Sequence, residues 1–434
     1  MGLSLTIIAN ISDAVLIDRL QRAAYDYFGP NSNPDNGLVA DTSRATSPSS
    51  IAVVGFGLSC YPVAVERGWI GRDSAAARVL ATLRFFWDSE QSEQRNATGY
   101  RGFYYHFLDM QSGRRAWECE LSLIDTALLL AGVLTAALYF DGEDSEAQIR
   151  ELARALYERV DWTWALNGGE TLAQGWRPET GFLHYGWEGY NEATLLYLLG
   201  LASPTHPLPA ASFASWTFTY QWENLLGIDT LYSGPLFTHL FSQAWVDFRG
   251  IRDPFMRQAG SDYFANTQSA IAIQREYAAR NPRGFVGYSR NLWGITAGDG
   301  PANADNVRRS RDRRYFGYMA RGVPFGPDDG TLAPWAMLAS LPFNPDAALE
   351  GTRHVLQRHP EVCPQDRFVS GFNPSRITKK KPWLSQGWYG LDQGLLVMML
   401  ENHRSGLIWN LTRASPVFRS GLQRAGFKGG WLDS

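Results

Sequence analysis

An alternation between two kinds of helical segment sets the strongest limit on what this chain can become. Hydrophobic spacing places helices at 13–28, 49–67, 74–87, 121–140, 143–160, 190–201, 235–248, 254–280, 331–339, 345–358, 391–403 and 415–425. Segments 49–67 and 121–140 are apolar on nearly every side. Segment 143–160 is amphipathic, and so is 13–28, where Leu16, Ile17, Leu20 and Ala24 share a face while Asp18, Arg19 and Gln21 lie between them. Asp13 stands where the first helix would take its N-cap. Helices apolar all round belong inside a fold, and amphipathic ones belong outside. Six inner helices wrapped by six outer ones, an all-α (α/α)6 toroid, meet both demands. Long loops then form a cleft at one end. Strand signals are sparse, limited to 102–107 and 284–288. No Gly- or Pro-rich linker divides the chain, which predicts one domain over 1–434. An irregular helical bundle or a two-domain helical protein is the competing arrangement.

Charges nearly cancel, 40 basic against 43 acidic residues for a net charge of −3. Binding nucleic acid by phosphate neutralisation asks for a basic surface, so that class is excluded. Cys60, Cys119 and Cys363 are too few and too scattered for a disulfide framework or a zinc cluster. His106, His184, His206 and His239 are dispersed, without the spacing of a zinc hydrolase. Neither a nucleophile elbow nor a dinucleotide fingerprint occurs. No metal and no cofactor is expected. No apolar run reaches the ~18 residues of a membrane helix. Residues 1–10 lack the basic start and long apolar stretch of a signal peptide. The expectation is a monomer away from the membrane, cytoplasmic if this is the full chain and periplasmic if a leader was removed. The unusual composition is aromatic: 16 Trp beside 19 Tyr and 23 Phe. Flat aromatic faces suit the apolar faces of sugar rings, although large helical cores also use Trp as filler.

Acids sit beside these aromatics in four clusters. The first holds Tyr105, His106, Trp117, Glu120 and Asp125; the second, Trp187, Glu188, Tyr190 and Glu192. The third is a Gly-rich loop with Trp293 and Asp299, lacking the lysine of a phosphate-binding loop. Trp388 and Asp392 make the fourth. An acid in the first turn of a helix is ordinarily a cap favoured by the helix dipole. Asp125, however, lies at or beyond the first turn of an apolar helix, where a buried carboxylate is costly unless paired or used. Glu192 stands where an inner helix begins and would face the mouth of the toroid. If that helix already includes position 188, Glu188 and Glu192 share a face. Cys119, between two glutamates, makes a poor nucleophile. Four acid–aromatic clusters together read as a carbohydrate cleft with opposed carboxylates.

At these clusters the sequence closely resembles the bacterial glucoamylase-like family that includes β-1,2-glucanases. The matching stretches are 102–109, 120–132, 186–199 with Ser203-Pro204-Thr205-His206-Pro207, 293–301 and 387–401. More distantly, it is similar to the transglycosylating domain of cyclic β-1,2-glucan synthases, where the second and third clusters have acidic counterparts. The resemblance implies an (α/α)6 barrel that hydrolyses β-1,2-linked glucan with inversion, as an endo-enzyme or an exo-enzyme releasing sophorose. On that footing Glu192 is the expected general acid and Glu120 or Asp299 the base. Asp125 and Glu188 support them. Tyr105, His106, Trp117, Trp187, Tyr190, Trp293, Trp388 and Asp392 are expected to contact the glucan. The alternatives are a β-1,2-glucan transglycosylase, an α-glucan hydrolase on the same fold, or a sugar-binding protein without catalysis; pure binding does not need an opposed acid pair.

Overall fold

The computed structural model describes residues 11–302, 309–310, 313–378 and 380–434. In chain order its first helices are α1 (Asp13–Tyr25), α2 (Ile51–Glu66), α3 (Arg72–Asp88), α4 (Leu123–Tyr139) and α5 (Ser145–Glu158). Then come α6 (Thr194–Ala202), α7 (Ala210–Thr217), α8 (Phe237–Trp245), α9 (Pro254–Ala259) and α10 (Tyr263–Arg280). The last are α11 (Pro334–Ala339), α12 (Pro345–Arg358), α13 (Gly390–Arg404), α14 (Leu407–Ala414) and α15 (Pro416–Arg424).

Burial separates the two layers as the hydrophobic pattern requires. Every residue is buried from Ile51 to Ala64 in α2, from Leu123 to Ala136 in α4, and from Thr194 to Leu201 in α6. In α5 only Glu146, Ile149, Ala153, Leu156 and Tyr157 are buried, one stripe of an amphipathic surface helix. The inner helices α2, α4, α6, α8, α11 and α13 surround a common axis, and α13 packs against α2 to close the ring. The (α/α)6 toroid is therefore the architecture. Outer helices cover it: α1 lies on α13, α12 on α11, α10 on α8, and the C-terminal α15 on α6.

The tightest inner contact, α2 on α4, is made by two glycines facing each other. A Cβ on Gly132 would sit inside the van der Waals envelope of the Gly55 carbonyl, and one on Gly55 would strike the Leu128 carbonyl.

Several boundaries differ from the sequence reading. Ser12, not Asp13, caps α1, its hydroxyl accepting the Val15 N–H at 3.4 Å. The expected helix 254–280 is two helices, because Gly260 turns left-handed (φ +68°) and Asp262 caps a fresh start. Segment 190–201 becomes helical only at Thr194. Stretch 284–288 forms no strand; its Gly287 takes a positive φ of 85°. Stretch 102–107 does pair. It contributes to a small antiparallel sheet in the order β1 (Gly99–Tyr100), β2 (Phe103–Tyr105), β3 (Leu121–Ser122), β4 (Gly175–Arg177) and β5 (Gly181–Phe182). That sheet lies at the start of α4 and helps to build the cavity described below.

Replacing Gly132 by Ala should force α2 and α4 apart and destabilise the fold by about 3 kcal/mol. Gly71→Ala, with nothing within 4 Å of the added Cβ, should cost less than ~1 kcal/mol. Urea unfolding of the two variants checks the contrast.

Candidate active site

Pairing in the small sheet sets the first two side chains. Tyr104 pairs with Ser122 and Tyr105 with Leu121, and the His106 N–H continues the ladder to the Glu120 carbonyl at 3.0 Å. Residues paired across an antiparallel ladder present their side chains on the same face. His106 and Glu120 thus meet, Nδ1 to Oε1 at 2.9 Å. Directly after β3, α4 begins. Its N-cap Ser122 accepts the Asp125 N–H at 3.2 Å and donates its hydroxyl to Asp125 Oδ2 at 2.5 Å. The same Oδ2 lies 3.5 Å from His106 Nε2. One imidazole therefore bridges two carboxylates.

Two more carboxyls enter from other inner helices. Glu192 lies two residues before α6, and its carbonyl accepts the Ser242 hydroxyl of α8 at 2.9 Å. Asp392 occupies the first turn of α13, 7% exposed, with Oδ2 buried and unpartnered among the described residues. His106, Glu120, Asp125, Glu192 and Asp392 all line one cavity of about 300 Å³. Gln174, Trp187 and Tyr318 line it too, above an apolar floor that includes Leu128, Phe237, Phe241 and Trp335. His106, Tyr318 and Leu391 also border an adjoining cleft of about 470 Å³, walled by Asp41, Arg44, Trp117 and Tyr389.

These environments separate the carboxyls chemically. Burial raises the Glu192 pKa to about 7, and the nearby Asp125 charge pushes the same way against a hydrogen bond from its own backbone. Burial also drives Asp392 well above the ordinary carboxylate range, helped by Asp41 and Asp299 and opposed by the Ser370 hydroxyl. Asp41 rises to about 6, again through burial, with His106 opposing and Asp125 adding. Glu120 goes the other way: burial opposes its charge, but His106 outweighs burial and holds it below its usual value. For His106 burial disfavours the charged ring, yet Asp125, Glu120 and Asp41 overcome this and lift its pKa to about 9.

The structure thus brings together six of the thirteen residues singled out in the sequence: His106, Glu120, Asp125, Trp187, Glu192 and Asp392. Trp117, 68% exposed, stands in the adjoining cleft. The other six lie elsewhere, each for a local reason. Glu188 precedes α6 rather than sharing a face with Glu192, because Gly189 (φ +74°) turns the chain between them. It lines a separate surface pocket with Glu170 and Phe218 and accepts the Thr171 hydroxyl at 3.2 Å. Asp299 sits outside the cavity, its carboxylate held by Arg44 and by the Ser385 hydroxyl at 2.9 Å. Trp293 is fully buried core. Tyr105 is likewise buried, with Arg115 over its ring at 4.7 Å. Trp388 donates its ring N–H to the Arg367 carbonyl at 3.1 Å and packs under the Arg367 guanidinium. Tyr190 is packed among Tyr220, His239 and Tyr263.

Asp41, Gln174 and Tyr318 were missed. They stand in loops without a helix start or a flanking Trp–acid pair, so the pattern used for the clusters passes over them. The sequence Ala40-Asp41-Thr42-Ser43-Arg44 does carry a local polar signal.

An inner ring of apolar helices around a carboxylate-lined, aromatic-walled cavity defines an (α/α)6 barrel of the glucoamylase-like type. The sequence profile of the family described as "Glycoamylase: Putative glucoamylase" matches residues 184–416, and the chain belongs to that family. The exo β-1,2-glucooligosaccharide sophorohydrolase of Parabacteroides distasonis is 27% identical over 452 residues, covering 95% of this chain. This chain spans only 58% of that relative's length. A solved "putative glucoamylase" from Bacteroides uniformis is 27% identical with a TM-score of 0.86, covering 98% of this chain and 100% of that one. A β-1,2-glucanase structure from Parabacteroides distasonis is 25% identical with a TM-score of 0.83, covering 96% of this chain and 60% of that one.

The Glu192 shift has a stability consequence with a definite sign. A carboxyl that holds its proton more tightly when folded stabilises the native state least once the unfolded chain has ionised. The contribution of Glu192 to native stability is thus highest below pH 4.5 and falls as pH rises from there to about 7. Glu192→Gln should match the wild type at about pH 4 and exceed it at about pH 8, by on the order of 1–3 kcal/mol. Urea melts of both proteins at the two pH values measure it.

Proposed function

We propose that this protein is a glycoside hydrolase that cleaves β-1,2-linked glucan with inversion, using Glu192 as general acid and Asp392 as general base. Glycoside cleavage needs one protonated carboxyl at the leaving oxygen and one carboxylate to activate water on the other face of the sugar. One observation carries the assignment. Among the four carboxyls lining the cavity, Glu120 and Asp125 are tied to His106, whereas Glu192 and Asp392 have no cationic partner among the described residues.

Glu192 retains its proton near neutrality because its pocket disfavours the charge, which suits an acid. Asp392 lies on a different inner helix, in the first turn of α13, with an oxygen free to accept a proton from water. Its raised affinity for protons strengthens it as a base once ionised. Glu120 is a weaker base because His106 depresses its proton affinity. Asp299 is neutralised by Arg44. Both earlier candidates for the base therefore give way to Asp392.

Glu120 and Asp125 are left to accept hydrogen bonds from sugar hydroxyls. Trp187 in the cavity, with Trp117 and Tyr318 outward of it, offers apolar ring faces. Stacking on such faces contributes on the order of 1 kcal/mol per ring. The choice of β-1,2-glucan is supported by the sophorohydrolase and glucanase relatives. A purely sugar-binding role has no use for an uncompensated buried Asp392, which costs stability without improving the fit.

Linear β-1,2-glucan is the test substrate, with reducing ends followed over time and product anomers read by NMR. Inversion should appear as initial α-anomer. Glu192→Gln and Asp392→Asn should each lower kcat by at least ~100-fold while oligosaccharide binding persists. Near-wild-type turnover by either folded variant would remove that residue from the mechanism. In the wild type, kcat/KM should fall with rising pH around a midpoint near 7, as Glu192 loses its proton.

A further inference from the structure

We propose that His106 is a positioning residue: its ring, held between Glu120 and Asp125, keeps both carboxylates directed into the cavity as acceptors for sugar hydroxyls. The proposal deepens the reading above and rests on it for the chemistry of the ligand.

Three geometric observations carry it. The ladder that pairs Tyr104 with Ser122 and Tyr105 with Leu121 places residue 106 opposite residue 120, so the contact is built into the backbone. Each ring nitrogen then faces a carboxylate oxygen, Nδ1 at 2.9 Å from Glu120 Oε1 and Nε2 at 3.5 Å from Asp125 Oδ2. A neutral imidazole has one N–H and one lone pair, so only the doubly protonated ring can donate to both. Finally, the ring plane is fixed by stacking on Phe107, with centroids 3.9 Å apart and planes 12° from parallel.

Charge balance explains why a cation is needed there. Among the described residues lining the cavity, His106 is the only basic one, and it faces four carboxyls. From the loop after α1, Asp41 adds a fifth acid and Arg44 a distant opposing charge. Arg177 reaches Glu120 Oε2 only at 3.9 Å, and Tyr318 closes the opposite wall. Acids crowded in a poorly solvated space take up protons at higher pH than isolated ones. A protonated Glu120 or Asp125 loses acceptor capacity toward sugar hydroxyls. The imidazolium prevents this for Glu120, which it holds below the usual carboxylate range. A negative charge on Asp125 also favours the protonated form of Glu192. The device therefore sets Glu120, held below the usual carboxylate range, apart from Glu192 and Asp392, which burial makes retain their protons.

The first test needs no substrate. In the sugar-free protein the His106 ring signals, assigned by their absence in His106→Gln or His106→Lys, should titrate near pH 9 in NMR spectra. A midpoint at or below the ordinary histidine value of about 6.5 overturns the proposal. The second test is kinetic. Between about pH 7.5 and 5.5, KM for a β-1,2-linked oligosaccharide should rise about tenfold more in His106→Gln than in the wild type, with kcat altered less. His106→Lys, which keeps a cation between the acids, should restore most of the wild-type pH dependence. A uniform loss of activity in His106→Gln, with the wild-type pH dependence, would make His106 a packing residue and overturn the proposal. Should the wild type cleave no β-1,2-glucan, the substrate reading fails, and the ring titration still decides the role of His106.

Discussion

Complete burial of the inner helices is the constraint on which the rest depends. A helix packed on every side has no place for an unpaired charge along its length, because that costs several kcal/mol; Glu401 in α13 is accordingly paired with Arg67 at 2.7 Å. Its N-terminal end is different. There the free N–H groups and the helix dipole favour a negative side chain, and the ring of helices opens onto a cavity. Asp125 and Asp392 stand in the first turns of α4 and α13, and Glu192 stands just before α6. The toroid thereby collects three carboxyls at one end of its axis without placing any in the core.

Close helix approach makes the collection tight. Gly55 and Gly132 let α2 and α4 touch backbone to backbone. Gly390 lets the backbone of α13 settle onto the side chains of Val53 in α2 and Tyr27 beyond α1. Bulkier residues at these points would widen the ring and move the acids apart. Electrostatics then differentiates groups of the same kind. Glu120 has a cation beside it, and Glu192 and Asp392 do not, so similar side chains in one cavity acquire opposite preferences for a proton. Asp247, buried but paired with Arg249 at 2.5 Å and with Arg413, shows the structural use of an acid in the same molecule.

How far the sequence could be read depends on whether a signal was local. Hydrophobic periodicity is local, and it revealed most of the helices but not the short α7 and α14. The break at Gly260 was visible in principle, since Gly260 and the capping Asp262 are turn signals inside an otherwise helical stretch. Helix-start acids beside aromatics were also legible, and Glu120, Asp125, Glu192 and Asp392 did converge. The same reasoning failed for Glu188, because it assumed a helix that begins only at Thr194. It failed for Trp293 and Tyr105 because a Trp or Tyr beside an acid looks identical in sequence whether it faces a cleft or the core.

Taken alone, the sequence determined the class of fold and the set of acids from which any chemistry must be drawn. Both follow from patterns within a few turns of chain: 3.6-residue periodicity for the helices, and polar residues tolerated only at their ends. Tertiary structure decided which acids are partnered. His106 meets Glu120 and Asp125 through strand pairing, Arg44 neutralises Asp299 from 255 residues away, and Asp392 is left with an unpartnered oxygen among the described residues. Proton affinity is a property of surroundings rather than of residue type. Those surroundings exist only after distant parts of the chain have packed together.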